Sequence, residues 1–334
     1  MKNRRLAWLR SYRRADGLTL VEMLIAMVLG LMVVGVAIGI FLSNKQTYRA
    51  TETLGRVQEN ARTAFELMAR DIREAGGNPC VNNLPIANAL SNSASNWWSN
   101  LTSWGASVRG YGATEAFPDV AFGTAAGTRV TGTDAIQLIS GDDSVATISG
   151  HNTAGQQFTL NTTTHGFVTG DLMIACNSRQ ASVFRASAVS GNTVSHASGG
   201  GNCTGSLGLP MTCAATTPVY EFAAPNSVMV KLHSTRWYVA NNGRGSRSLY
   251  QSRLSGLGTQ NEEVAEGVQN MEVFYLMRGG SAYVPAATVN LAANGWANVI
   301  AARVELTLQG ENVVGSGTPQ REMIQITSLR NRNS

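Results

Sequence analysis

From Met23 to Leu42 the chain runs twenty residues without a charged side chain, and beyond that stretch the apolar residues become spaced. At about 1.5 Å per residue such a run makes a helix of about 30 Å, the hydrocarbon thickness of a bilayer. Leu54, Val57, Ala61, Ala64, Phe65, Met68, Ile72 and Ala75 then recur at steps of three and four, which predicts one apolar face of a helix. The opposite side carries Glu52 with Arg56, Glu59 with Arg62, Glu66 with Arg70, and Arg70 with Glu74, spacings that favour ion pairs along a solvated face. Gly76, Gly77 and Pro79 supply a stop. The pattern therefore predicts a single helix from Leu18 to Ala75, about 87 Å long. Only its first half fits a membrane, so the second half must pack on a domain outside it.

Residues 78–133 are rich in Ser, Asn, Ala and Gly, hold Trp97, Trp98 and Trp104, and show no period; they read as an irregular excursion. The three indoles suit either a contact surface or, as we expect, a plug between helix and sheet. From Asp134 the pattern turns to short β-type runs: Ala135 to Ser140, Gln157 to Leu160, Leu172 to Cys176, Ser182 to Ser187, Val219 to Phe222, Val228 to His233, Arg236 to Ala240, Ser248 to Arg253 and Val268 to Leu276. Ile300, Ala302, Val304, Leu306 and Leu308 alternate with Ala301, Arg303, Glu305 and Thr307, a strand with one face on a core. Ile324, Ile326 and Leu329 begin a last strand that ends in a basic tail, Arg330-Asn331-Arg332, and Asn241-Asn242-Gly243 reads as a hairpin turn. The expected class is α+β: a long N-terminal helix, half transmembrane and half amphipathic, packed on an antiparallel, sheet-rich globular domain.

Charge sharpens this picture at one end. Of 26 basic and 21 acidic residues, Lys2, Arg4, Arg5, Arg10, Arg13, Arg14 and Asp16 precede Gly17, so 20 of each sign remain and the rest of the chain is formally neutral. The basic start orients the span with its N-terminus in the cytoplasm, and the neutral remainder argues against a nucleic-acid partner recruited by bulk charge, with a local basic patch as the alternative. Glu22 lies one residue before the apolar run. A carboxylate placed so close inside a span costs about 2.5–3.5 kcal/mol and calls for a cationic partner.

The sequence Gly17-Leu18-Thr19-Leu20-Val21-Glu22, with basic residues before it and the apolar run after it, resembles the N-terminal signal of type IV prepilins and type II secretion pseudopilins. That resemblance implies cleavage by a prepilin peptidase between Gly17 and Leu18, N-methylation of Leu18, and a Glu22 carboxylate that meets the N-terminal amine of a neighbouring subunit. It divides the chain into a removed leader (1–17), a transmembrane polymerisation helix (18–42), an amphipathic helix (43–77), the excursion (78–133) and a β-rich domain (134–334). Major pilins commonly carry Pro where this chain has Gly39, so no proline kink is carried over. Leu67 to Gly76, Glu266 to Met271, Ala301 to Leu306 and Leu329 to Arg332 resemble minor pilins of the PilW kind. The resemblance implies partners among other minor pilins and the major pilin, the inner membrane, and a large tip adhesin, with the domain in the periplasm and later at the cell surface. A type II secretion minor pseudopilin of the GspJ kind and a membrane-anchored adhesion module are the alternatives.

Outside the cytoplasm cysteines form disulfides. Cys203 and Cys213 are close across a Gly-rich loop and are expected to pair, which leaves Cys80 for Cys176. No catalytic constellation is found: His151, His165, His196 and His233 lack ligand spacing and read as surface or strand residues, and no nucleophile elbow or phosphate-cradling loop occurs. Asp142 and Asp143 read as a turn, with calcium as the alternative. The expectation is a non-enzymatic protein with no cofactor and no metal.

Overall fold

The computed structural model describes residues 17–80, 84–310 and 320–332; all of the expected leader 1–17 except Gly17 lies outside the described residues. The long helix runs Leu20–Glu74. It starts two residues later than the apolar pattern suggested because Thr19, at φ −68° and ψ 150°, serves as its N-cap. At the other end the Ala75 N–H donates to Asp71 O at 3.0 Å, and Gly76 turns into the left-handed region at φ +74°, where a Cβ would meet Ser107 Oγ at 2.9 Å.

The first half of the helix is bare: its most apolar eighteen-residue window is 0% buried. The second half buries Val57, Ala61, Ala64, Phe65, Met68 and Ile72, the expected face. At about 1.5–3 kcal/mol for each large side chain removed from water, Phe65, Met68 and Ile72 hold this half to the domain. On the solvated face Arg70 pairs with Glu74 at 2.9 Å, as the spacing predicts. The pairs Glu52–Arg56, Glu59–Arg62 and Glu66–Arg70 do not form; Arg62 takes Glu66 at 3.5 Å and Arg70 takes Asp143 of the domain at 2.6 Å. A partner one turn ahead, or on a neighbouring element, competes for the same guanidinium.

Two sheets receive the helix. Among the described residues the larger has eleven strands, organised around Val228–Asn241, which pairs antiparallel with Ala135–Asn152, Leu172–Cys176 and Arg247–Ser255. The smaller is antiparallel in the order Tyr283–Pro285, Val268–Met277, Val299–Gln309, Gln320–Ser328. The helix packs where they meet, with Trp237, Val239 and Leu249 from one sheet and Met271, Val273, Val304 and Leu306 from the other in one core. Trp97, Trp98 and Trp104 fill a second core with Leu101, Ile139, Ile174 and Leu232. They are a plug rather than a contact surface, and they cover the larger sheet instead of filling the gap under the helix. A third core gathers Phe158, Phe184 and Phe222.

Several strand limits differ from the sequence reading. Ala135–Asn152 continues past Ser140 through a bulge between Gly141 and Val145, so Asp142 and Asp143 sit in a strand and not in a turn. The runs Val228 to His233 and Arg236 to Ala240 are one strand, Val228–Asn241, since Ser234 and Thr235 stay in the ladder. Val219 to Phe222 is not a strand: it finds no ladder partner, Val219 faces solvent, and Phe222 is buried. Gly258–Glu266 is a strand despite its polar composition, because it pairs along its whole length with Arg247–Ser255. The closing Arg330–Arg332 is a 3₁₀ turn whose last residue, Arg332, is buried, where the sequence suggested a solvated tail. Burial lowers the pKa of Arg332 to about 10, and its guanidinium donates to Trp104 O at 2.9 Å, Gly105 O at 3.0 Å and Ser107 Oγ at 2.9 Å.

Candidate processing and assembly site

The start of the helix brings together the residues singled out by sequence. Gly17 and Leu18 lie ahead of the helix and are exposed, Leu18 to 80%. Glu22 Oε2 accepts the Thr19 N–H at 3.2 Å and the Thr19 hydroxyl at 3.2 Å, while Thr19 Oγ1 accepts the Glu22 N–H at 3.2 Å. This reciprocal cap satisfies the carboxylate inside its own chain, at the end of the helix where its dipole favours negative charge. Sequence reasoning passed over Thr19, although the Thr-x-x-Glu spacing is the signature of such a cap. Chemically, the arrangement offers one carboxylate held by weak local bonds on an otherwise apolar, exposed helix.

Forces on that helix reach the domain through a polar pin. Asp71, in the last turn, accepts from Trp237 Nε1 at 2.8 Å and Gln251 Nε2 at 3.0 Å on the same oxygen, and its other oxygen lies 3.9 Å from His233 Nε2. Gly267, at φ +82°, brings the sheet up to the helix: a Cβ there would meet Val57 Cγ1 at 2.8 Å and Gln309 O at 2.9 Å. Neither residue stood out in the sequence.

The remaining candidates are dispersed. Cys80 is bonded to Cys176, and Cys203 to Cys213. Asp143 is engaged by Arg70, and Asp142 Oδ1 accepts the Asp143 N–H at 2.7 Å. No group of three or more His, Cys, Asp or Glu side chains that could hold a metal occurs among the described residues.

The histidines are not all surface residues: His196 is 1% exposed and its Nε2 lies 3.0 Å from His151 Nε2. Phe222 N–H donates to His151 Nδ1 at 3.1 Å, so neutral His151 carries its proton on Nε2 and donates it to His196. Burial lowers the two pKa values to about 4 for His151 and about 3 for His196.

Two cavities open on the domain. One of about 830 Å³ lies between the helix and the loop after Val228–Asn241, walled by Arg56, Asn60, Arg244, Arg247, Glu266 and Gln269. The other, of about 400 Å³, lies within the Trp-containing excursion and is closed by Gln137 of the larger sheet and by Trp296 of the 3₁₀ turn Gly295–Asn298. Beneath it rings and guanidinium groups alternate: Arg236 sits 4.1 Å from the centroids of both Trp97 and Phe117, and Arg129 sits 4.8 Å from those of Phe117 and Phe122. Burial lowers both arginines to a pKa of about 10.

Comparison with known families bears on the two ends of the chain. The family model for type IV pilus-assembly protein W matches residues 236–329, and that for the prokaryotic N-terminal methylation motif matches residues 12–38. No curated protein and no solved structure matches the chain. The first match covers Trp237 and the last residues of its strand, the whole of the smaller sheet and Gly267; the second covers Gly17, Leu18 and Glu22.

Proposed function

We propose that this chain, whose residues 236–329 match the family model for type IV pilus-assembly protein W and whose residues 12–38 match the N-terminal methylation motif, is a minor pilin of a type IV pilus: a structural subunit, not an enzyme, that primes pilus assembly with other minor pilins and presents tip components, a large adhesin among them. A prepilin peptidase cuts between Gly17 and Leu18, and Leu18 is N-methylated. The mature chain waits in the inner membrane with its domain in the periplasm. It then joins the major pilin in the fibre through residues 18–42.

The observation that carries this reading is the bare apolar half-helix with Glu22 capped at its head. Removal of the leader leaves a new ammonium on Leu18, and the same event in a neighbouring subunit supplies the cation that Glu22 lacks. The local cap contributes only about 1 kcal/mol. A carboxylate–ammonium pair inside the apolar fibre interior gains more from Coulomb attraction than it would in water, and either charge left unpaired there would be strongly unfavourable. Once both charges are carried into that interior, pairing them is favoured over leaving either alone.

The test is Glu22→Ala in the native host. The protein should be made, inserted and processed, yet enter fibres poorly or lower their number at the surface. Wild-type fibre numbers with wild-type incorporation would remove the role assigned to Glu22.

A further inference from the structure

We propose that the cavity within the Trp-containing excursion, closed by Gln137 and Trp296, is a binding site for an uncharged pyranose sugar. Its volume, about 400 Å³, falls in the range of small-ligand sites. Trp97, Tyr111 and Gln137 lie buried in its lining, Asn100, Thr102 and Arg109 stand exposed at its rim, and Trp296 forms a half-exposed wall.

A sugar ring presents an apolar C–H surface and hydroxyl groups that both donate and accept, and this lining answers both. The Trp296 ring is fixed edge-on to Tyr275, with centroids 4.9 Å apart, and by its Nε1, which donates to Asn290 Oδ1 at 2.8 Å. It offers a rigid apolar platform. The Asn100 amide and the Thr102 hydroxyl donate and accept as hydroxyl partners require.

A second, independent observation points to a ligand. Trp97 is 4% exposed and its indole N–H is buried without an acceptor. A buried donor without an acceptor in the chain, here on a side chain that lines the cavity, is unspent hydrogen-bonding capacity. Gln137 spends its oxygen on Tyr111 and Arg236, at 2.8 and 3.0 Å, while its amide nitrogen makes only a 3.4 Å contact with Trp97 O. It retains donor capacity.

Charge selects among ligands. Arg109 at the rim is held by Glu115 at 3.0 Å. Arg236 is fully buried below the floor, between two rings, and donates to Pro118 O at 2.8 Å. The guanidinium in the lining, that of Arg109, is shared with Glu115, so a carboxylate or phosphate would compete for it, and a polyphosphate chain, which binds through such contacts, is disfavoured. The excursion, which supplies most of the lining, lies outside residues 236–329, so the site would be a property of this chain more than of the assembly domain.

The experiment uses the full mature chain in a detergent without a sugar headgroup. D-glucose, D-galactose and N-acetylglucosamine are titrated by tryptophan fluorescence and by ligand-observed NMR, beside glucuronate, galacturonate and oligothymidylate. At least one neutral sugar should bind saturably, unaffected by added salt, and Trp296→Ala and Asn100→Ala should each weaken it about tenfold or more. Asn100 is exposed, so Asn100→Ala tests the site even if the Trp296 variant fails to fold. The proposal is overturned if no neutral sugar saturates, if the acids or oligothymidylate bind tighter, or if the folded variants bind as the wild type does.

Discussion

Replacing Asp71 by Ala removes a charged group that joins the end of the long helix to the middle of the larger sheet through buried donors. The Trp237 indole N–H, on a side chain 0% exposed, loses its acceptor at 2.8 Å, and Gln251, 9% exposed, loses one at 3.0 Å. Hydrogen bonds to a charged acceptor contribute about 1.5–3 kcal/mol each. Trp237 has no route to water, so its share belongs near the upper part of that range, whereas Gln251 can turn outward and recover most of its share. We expect a cost of about 3 kcal/mol for Asp71→Ala, which for a domain of this size lowers the Tm by about 6–12 °C. Asp71→Asn keeps one acceptor without the charge and should lose about half as much. The assay is thermal unfolding of the detergent-solubilised chain followed by near-ultraviolet circular dichroism, which reports the packing of the buried aromatic side chains, Trp237 among them. Trp237→Phe closes a double-mutant cycle, and the coupling with Asp71→Ala should be about 1–2 kcal/mol. Additive losses, or an Asp71→Ala protein that melts with the wild type, would refute the assigned pin.

Three further outcomes follow from the same geometry. Gly267→Ala should destabilise by about 2 kcal/mol or more, since the residue stands at φ +82° with Val57 and Gln309 against its missing Cβ. Gly55→Ala, on the exposed helix with nothing within 4 Å, should instead stabilise by up to about 1 kcal/mol; melting curves of the two check the contrast. The Cys80–Cys176 bond closes a sequence separation of 96 and the Cys203–Cys213 bond one of 10. On the chain-entropy account, replacing the first pair by Ser should cost about 4–5 kcal/mol and the second clearly less, measurable as denaturant midpoints.

The His151–His196 pair gives a pH dependence. Unfolded, both titrate near 6.5; folded, burial holds them at about 4 and about 3. As the pH falls below about 6.5 the unfolded chain takes up protons that the folded chain refuses, so stability present above that pH is lost down to the folded values. The Tm should drop between about pH 6.5 and pH 4, and His196→Phe should flatten that drop.

What could be read without coordinates was what depends on local pattern. The apolar run, the amphipathic face from Val57 to Ile72, the glycine stop and the alternation in Val299–Gln309 each follow from a period that a few neighbours set. What escaped depends on distant partners. Gly258–Glu266 is a strand only because Arg247–Ser255 lies beside it, and Val219 to Phe222, better in composition, has nothing to pair with. Arg332 looked like a solvated charge, yet carbonyls 227 and 228 residues away draw it inside. At the candidate site Gly17, Leu18 and Glu22 were legible because the signal is contiguous. Asp71, Trp237 and Gln251 were not, because their separations are 166 and 180 residues.

The central claim is that the apolar helix survives maturation and begins with a free amine one helical turn before the Glu22 carboxylate. Intact-mass analysis of the protein purified from its own membranes tests this most directly. The account predicts a chain that starts at Leu18 and carries one added methyl group. A chain that still begins at Met1, or one that starts beyond Leu42, would contradict it.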